Sequence, residues 1–174
     1  MANLVWGKKL SVGNVIIDAE HRNLISMVND ANRAIETMDS LTLLHELERL
    51  ENWLHTHFAN EEKIAQAVDF PFARLKPAQQ YSLNALRHLR DELEAEYGMW
   101  PKNTAVHFSR SLKHWIVEHI TKVDMPMKPM LQAHDYNFWP GYAAGTGYSP
   151  ALVTSGAGIC GCGCGCDSYS SAVG

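Results

Sequence analysis

An apolar stripe with helical spacing runs along the sequence from Leu43 to Ile64. Its members recur every three or four residues, which is the repeat that places side chains on one face of an α-helix. The stripe consists of Leu43, Leu47, Leu50, Leu54, His57, Glu61 and Ile64. This spacing predicts one long helix over about Leu41 to Val68, with a single buried face.

Three further segments show the same periodicity. The first spans about Asp18 to Met38, the third follows Pro77, and the fourth begins near Thr104. Short connections between long amphipathic helices predict an all-α, antiparallel up-down four-helix bundle over residues 1–140. The predicted inward residues are Leu24, Ile25, Val28, Ala31 and Ile35 on the first helix, Leu83, Leu86, Leu93 and Tyr97 on the third, and Ala105, Phe108, Leu112 and Trp115 on the fourth.

Ionisable residues interrupt these apolar stripes. His57 and Glu61 are four residues apart, so they project from one helix face and can bind the same metal ion. His119 occupies a stripe position on the fourth helix, Asp124 follows just over one turn later, and His21 lies on the inward side of the first helix. A buried hydrogen-bond network would explain any single histidine, but the whole set favours a first-row transition metal, with iron as the natural candidate.

Three sequence motifs contain these five residues. They are SVGNVIIDAEH at 11–21, HFANEE at 57–62 and WIVEHITKVD at 115–124, and Trp6 precedes the first of them. In order and spacing they resemble the bacterial hemerythrins. The resemblance implies a di-iron centre that binds dioxygen. One iron has a His ligand from each of the first two helices, the other has two from the third and one from the fourth, and a Glu and an Asp bridge the two irons.

The resemblance assigns a role to each of the five residues. His21 and His57 correspond to the terminal ligands of the first iron, and Glu61 and Asp124 correspond to the bridging carboxylates. His119 corresponds to the one remaining ligand of the second iron.

The third helix lacks both histidines that the resemblance implies. The family has one His five residues after a Tyr/Phe-Pro pair and another four residues later, and after Phe70-Pro71 these positions hold Lys76 and Gln80. Stepping back from Leu83 along its stripe reaches the same two residues, so we expect both to point into the bundle. The Lys76 ammonium would pair with a bridging carboxylate, and a second metal would bind poorly. A dioxygen carrier is therefore disfavoured, leaving a single iron or zinc ion, or no metal.

The composition changes sharply after residue 142. Residues 143–174 contain one charged side chain, Asp167, together with eight of the twelve glycines and all four cysteines. We expect disorder there, because such a segment buries too little apolar surface to offset the entropy of ordering. The chain therefore divides into a bundle over 1–140, a linker over 141–158 and a Gly/Cys/Ser-rich tail over 159–174.

The tail alternates glycine with Cys160, Cys162, Cys164 and Cys166. Disulfides at this spacing would be strained. Metal binding by the thiolates is another interpretation. Thiolates two residues apart on an extended strand lie roughly 7 Å from each other, which is too far to share one metal ion unless the backbone curls. The segment could also be an engineered tag. The last interpretation is that the tail is a substrate of modifying enzymes. A Cys thiol or Ser hydroxyl can attack the preceding carbonyl, and a preceding glycine does not hinder the attack.

The tail resembles the cores of thiazole- and oxazole-modified, microcin-like peptides. The resemblance implies cyclisation of the four cysteines, with Ser168, Ser170 and Ser171 as further candidates. It also implies a bundle that is a leader without catalytic activity, and as partners a cyclodehydratase, a flavin dehydrogenase and a peptidase-exporter. The leading hypothesis is thus a ribosomally made precursor peptide. The alternative is a hemerythrin-like protein that binds or senses metal or oxygen through one or two irons.

Charge and hydropathy narrow the choice of partners and compartment. The net charge of −4 gives no electrostatic reason to expect nucleic acid or an anionic membrane. The first residues lack the features of a secretory signal, and no apolar run is long enough to span a bilayer. We therefore expect a cytoplasmic protein with reduced cysteines, whose processed tail is exported.

Overall fold

The computed structural model describes residues 3–95 and 102–141. In this part of the chain, four long helices form the predicted all-α bundle, in which α1 packs against α2 and α4, and α2 packs against α3. The linker beyond Gly141, the cysteine tail and Tyr97 lie outside the described residues. The helices are α1 (Val15–Thr37), α2 (Ser40–Ala67), α3 (Lys76–Ala95), α4 (Lys102–Glu118) and the short α5 (Lys128–Leu131).

The predicted stripes form the core. The α2 stripe is buried along its whole length from Leu43 to Ile64, and the α1 stripe is buried as well. Two apolar clusters result, a large one that involves all four long helices and a smaller one around Ile17, Ile64 and Met127. On α1, on α2 and beyond α4, the predicted ligand residues fall between members of these two clusters, so the polar set lies between two apolar layers.

Side-chain caps explain where α1 and α2 begin. The Asn14 side chain accepts hydrogen bonds from the backbone N–H groups of Ile16 and Ile17, so α1 starts three residues before the predicted Asp18. Asp39 caps α2 in the same manner. Between the two helices, Met38 adopts the left-handed conformation, with a φ of 56°, that commonly ends a helix.

The chain after α4 departs from regular α-helix. His119–Asp124 form a π-helical turn, and a 3-10 turn over Met125–Met127 leads into α5. Residues five apart on an α-helix differ by about 140° in direction. In a π turn the backbone hydrogen bonds join residues five apart, so His119 and Asp124 lie on one face.

Residues 132–141 pack against the start of α1. The Val15 N–H donates to the Tyr136 carbonyl oxygen at 2.8 Å, and Asn14 Nδ2 donates to the Phe138 carbonyl oxygen at 2.8 Å. The Tyr136 hydroxyl also donates to Asp18 Oδ2 at 3.1 Å. The chain therefore leaves the bundle beside the first turn of α1. None of the described helices combines the length and apolar character needed to cross a membrane.

Candidate metal centre

Five ionisable side chains meet in the bundle interior. They come from α1, from α2 and from the π turn after α4, and none is more than 3% exposed. The structure thus brings together every residue of the predicted ligand set, while their role as ligands stays a prediction. The five are His21, His57, Glu61, His119 and Asp124.

Asp124 lies at the centre of this group. Its Oδ2 is 2.9 Å from His21 Nε2, 3.2 Å from His119 Nε2 and 3.9 Å from His57 Nε2. One ligand atom from each of His57, Glu61, His119 and Asp124 lies within 4.8 Å of all the others. Two ligands of one transition-metal ion, each about 2.1 Å from it, are at most about 4.2 Å apart. A contraction of about half an ångström would therefore allow these atoms to share an ion.

Several buried polar atoms of this group lack a hydrogen-bond partner. His21 Nε2 and Asp124 Oδ2 are at ion-pair distance, but they are not aligned for a hydrogen bond. Buried polar atoms are almost always satisfied in folded proteins. A cation bound beside His21 Nε2, Glu61 Oε1 and the Asp124 carboxylate would satisfy nitrogen and oxygen atoms together, so these residues fit a metal ion. The unpartnered atoms are both ring nitrogens of His21, Nδ1 of His119, Oε1 of Glu61 and both carboxylate oxygens of Asp124.

Burial shifts the pKa values of His21, Glu61, His119 and Asp124 toward the neutral forms. Desolvation raises the pKa of Asp124 to about 8, and desolvation together with the neighbouring Asp124 raises the pKa of Glu61 well above its usual value. Desolvation, aided by His57, lowers the pKa of His21 to about 3 and holds the pKa of His119 well below its usual value. Near neutral pH the imidazoles of His21 and His119 are therefore in their metal-binding form, and a metal ion would displace the proton of Asp124.

Glu20 orients one of the histidines. Its Oε2 accepts a hydrogen bond from His57 Nδ1 at 3.0 Å, and its Oε1 accepts one from Asn60 Nδ2 at 2.6 Å. With the proton on Nδ1, the Nε2 lone pair of His57 faces the centre. Glu20 was not predicted from the sequence. No sequence pattern marks its pairing with His57, because the pairing joins α1 to α2 and depends on how the two helices pack.

Lys76 and Gln80 point away from this centre, so the prediction that they face the interior is wrong. Lys76 is exposed, with its Nζ 3.6 Å from Glu62 Oε1, and the Gln80 amide donates to Asn84 on the outer face of α3. The error has a geometric cause. Positions three and four before Leu83 are both its neighbours on a helix, and periodicity alone does not choose between them.

The inward position on α3 belongs to Gln79. This residue is 7% exposed, and its Nε2 donates to Glu61 Oε2 at 2.8 Å. One turn earlier, the buried residue is Leu75. The side of the centre that faces α3 therefore presents an amide and an aliphatic side chain.

Aromatic side chains cover the histidines. The Trp115 ring stacks on His119 with 5.8 Å between centroids, and its Nε1 donates to Ser82 Oγ at 2.8 Å. Phe58 lies 5.5 Å from the rings of both His57 and His119. These rings and the two apolar clusters keep bulk water from the ligand atoms.

The sequence is similar to those of known proteins. The family model of the hemerythrin HHE cation binding domain matches residues 12–131. A bacteriohemerythrin of Stenotrophomonas maltophilia (strain R551-3) is 25% identical over 135 residues, which cover 77% of this chain and 85% of that protein. One from Pseudomonas aeruginosa (strain LESB58) is 24% identical over 125 residues, covering 71% and 78%.

A solved structure shares the fold. The crystal structure of a wild-type hemerythrin has a TM-score of 0.64 at 23% identity and covers 75% of this chain and 98% of its own. The family match runs from the loop before α1 to the end of α5 and includes all five residues of the centre. The chain belongs to the hemerythrin HHE cation-binding family.

Proposed function

We propose that the bundle binds a transition-metal ion, with iron as the expected metal, and that it serves to hold or sense that metal or oxygen. The observation that supports this is the set of buried, unpartnered ligand atoms contributed by three helical segments. In residues 3–95 and 102–141, no lysine or arginine lies within ion-pair distance of Glu61 or Asp124. Two buried carboxyl groups without a basic partner suit a site that receives its positive charge from a metal.

The residues around the centre have separable tasks. His57 and His119 supply imidazole nitrogens, and Glu61 and Asp124 supply carboxylate oxygens. His21 lies beside Asp124, with its Nε2 2.9 Å from Asp124 Oδ2. Glu20 orients one imidazole, and the aromatic cover excludes water. Iron, when bound, would supply redox chemistry and affinity for dioxygen. The chain itself would perform no catalysis.

Metal analysis of the purified protein tests this proposal. The full chain is reconstituted anaerobically with Fe(II), desalted, and assayed for metal by mass spectrometry. We expect Asp124→Asn and His57→Gln to lose most of the bound iron, because each removes a buried ligand. Glu62→Gln is the matched control, since Glu62 directly follows Glu61 but lies toward the surface, where it pairs with Lys76. Wild-type protein that retains no metal, or an Asp124→Asn variant that retains as much as wild type, would refute the proposal.

A second function is favoured by the alternation of glycine and cysteine at 160–166, which lies outside the described residues. We propose that the bundle is also the leader of a precursor peptide that is modified in the cytoplasm. A cyclodehydratase would close each ring by attack of the thiol sulfur on the preceding carbonyl carbon, with loss of one water. A flavin dehydrogenase would then remove two hydrogens, and a peptidase-exporter would release the product.

Intact mass of the chain from its native host tests this second function. Each modified cysteine should lower the mass by one water, or by one water and two hydrogens. A Cys162→Ala variant should lose one such step, whereas Ser155→Ala, upstream of the tail, should keep them all. An unmodified mass in cells that contain the modifying enzymes would contradict the proposal.

A further inference from the structure

We infer that Gln79 restricts this centre to a single metal ion. The inference deepens the proposed metal-binding function and depends on it. A carboxylate that bridges two metals gives one oxygen to each, and the metals lie about 3.5–4 Å apart. Glu61 can therefore bridge two metals only if each of its oxygens can reach one of them.

The two oxygens of Glu61 have different surroundings. Oε2 accepts the hydrogen bond from Gln79 Nε2 at 2.8 Å, whereas Oε1 has no partner. Glu61 is fully buried and Gln79 nearly so, which means that water does not compete for either side chain. The Gln79 amide occupies the side of Oε2 that faces α3. A second metal on that side would have to displace the amide and leave its N–H groups unpaired in the interior, which is unfavourable.

The neighbouring positions on α3 offer no replacement ligand. Leu75 is apolar, and the Ser82 hydroxyl donates to the Ala78 carbonyl oxygen while it accepts the hydrogen bond from Trp115 Nε1. Within residues 3–95 and 102–141, the cluster of His57, Glu61, His119 and Asp124 is the one group of three or more His, Cys, Asp or Glu residues close enough to hold a metal ion.

The spacing of two histidines fits one shared ion. His57 Nε2 and His119 Nε2 are 3.4 Å apart. Two nitrogens bound to one ion at about 2.1 Å with a tetrahedral angle are also about 3.4 Å apart. By the family resemblance these two histidines would serve different irons, but here both nitrogens are within reach of the same one. Asp124 Oδ2, 3.2 Å from His119 Nε2, fits the same ion.

The stoichiometry of metal binding tests the inference, and the register of α3 supplies matched variants. We expect wild-type protein to bind one Fe(II) or Co(II) per chain. The double variant L75H/Q79H places two imidazoles at the inward positions, and we expect it to bind two. The control variant K76H/Q80H adds the same two side chains at outward positions and should stay at one. Circular dichroism confirms that each variant is folded.

Cobalt(II) paramagnetic resonance of the wild-type protein provides a measurement that does not depend on the folding of any variant. We expect the spectrum of an isolated high-spin ion. A spin-coupled pair, or two metals per wild-type chain, would overturn the inference and leave the proposed function intact. A second metal gained by K76H/Q80H and not by L75H/Q79H would also overturn it. A wild-type protein without metal would overturn the proposed function itself.

Discussion

The substitution Asp124→Asn should stabilise the metal-free protein while it abolishes metal binding. Asparagine has nearly the same shape as aspartate but does not ionise. Asp124 is fully buried, and desolvation raises its pKa from 3.8 to about 8. A carboxyl group whose pKa is raised in the folded state does not lower the free energy of unfolding below its unfolded pKa. It lowers that free energy progressively as the pH rises toward its folded pKa.

The magnitude of this cost follows from the shift. Each pKa unit corresponds to about 1.4 kcal/mol. At pH 7 the unfolded chain has lost the Asp124 proton and the folded chain retains it, so the cost is about 4 kcal/mol of unfolding free energy. At pH 5 the same calculation gives about 2 kcal/mol.

Urea unfolding in the presence of a chelator measures the difference. Wild type and Asp124→Asn are compared at one-unit steps from pH 5 to pH 8. The gap between their unfolding free energies should widen by about 1.4 kcal/mol per pH unit up to pH 7, and more slowly from pH 7 to pH 8, where the folded carboxyl begins to ionise. Asp135→Asn is the matched control because Asp135 is exposed, and we expect its gap to be small.

Two results would refute this reasoning. One is an Asp124→Asn protein that is less stable than wild type at pH 7. The other is a stability gap that does not change with pH. Either would mean that the Asp124 carboxylate has a favourable partner in the metal-free bundle.

Three further predictions concern the surroundings of the centre. Glu20→Gln should weaken metal affinity roughly 10- to 100-fold in a chelator competition, because the imidazole it orients loses its carboxylate partner; unchanged affinity would contradict this. Trp115→Phe should lower the unfolding free energy by about 1 kcal/mol through loss of the hydrogen bond to Ser82, and the matched variant Ser82→Ala should give a similar loss. Asn14→Ala should lower the unfolding free energy by about 1–2 kcal/mol in urea, since the residue caps α1 and also bonds to Phe138. Unchanged urea unfolding of Asn14→Ala would show that the cap is redundant.

Periodicity predicts the helices and most of the centre because burial depends directly on helical phase. The α2 stripe is buried throughout, and its two polar members, His57 and Glu61, meet the interior as expected. The same reasoning places His21 and His119 correctly. A long, uninterrupted helix fixes the phase of every residue on it, so few errors arise there.

The errors occur where the phase is interrupted. α3 begins one residue after a 3-10 turn over Phe72–Arg74, so no earlier turn of the same helix fixes the phase of its first residues. Positions three and four before Leu83 are then both possible inward positions, and Gln80 was predicted in place of Gln79. The π turn that aligns Asp124 with His119 also changes the helical phase, and the 3.6-residue periodicity of an α-helix does not predict that change. The pairing of Glu20 with His57 joins two helices and depends on tertiary packing.

The position of the candidate metal centre between two apolar clusters would have a kinetic consequence. With its residues at most 3% exposed, an ion held there would exchange with solvent only when the bundle opens. Its residence time would then follow the opening rate of the helices and not the strength of the individual bonds. Cells in which several metals compete would load such a chain according to which ion is abundant while it folds, since later exchange for a more tightly bound metal would be slow.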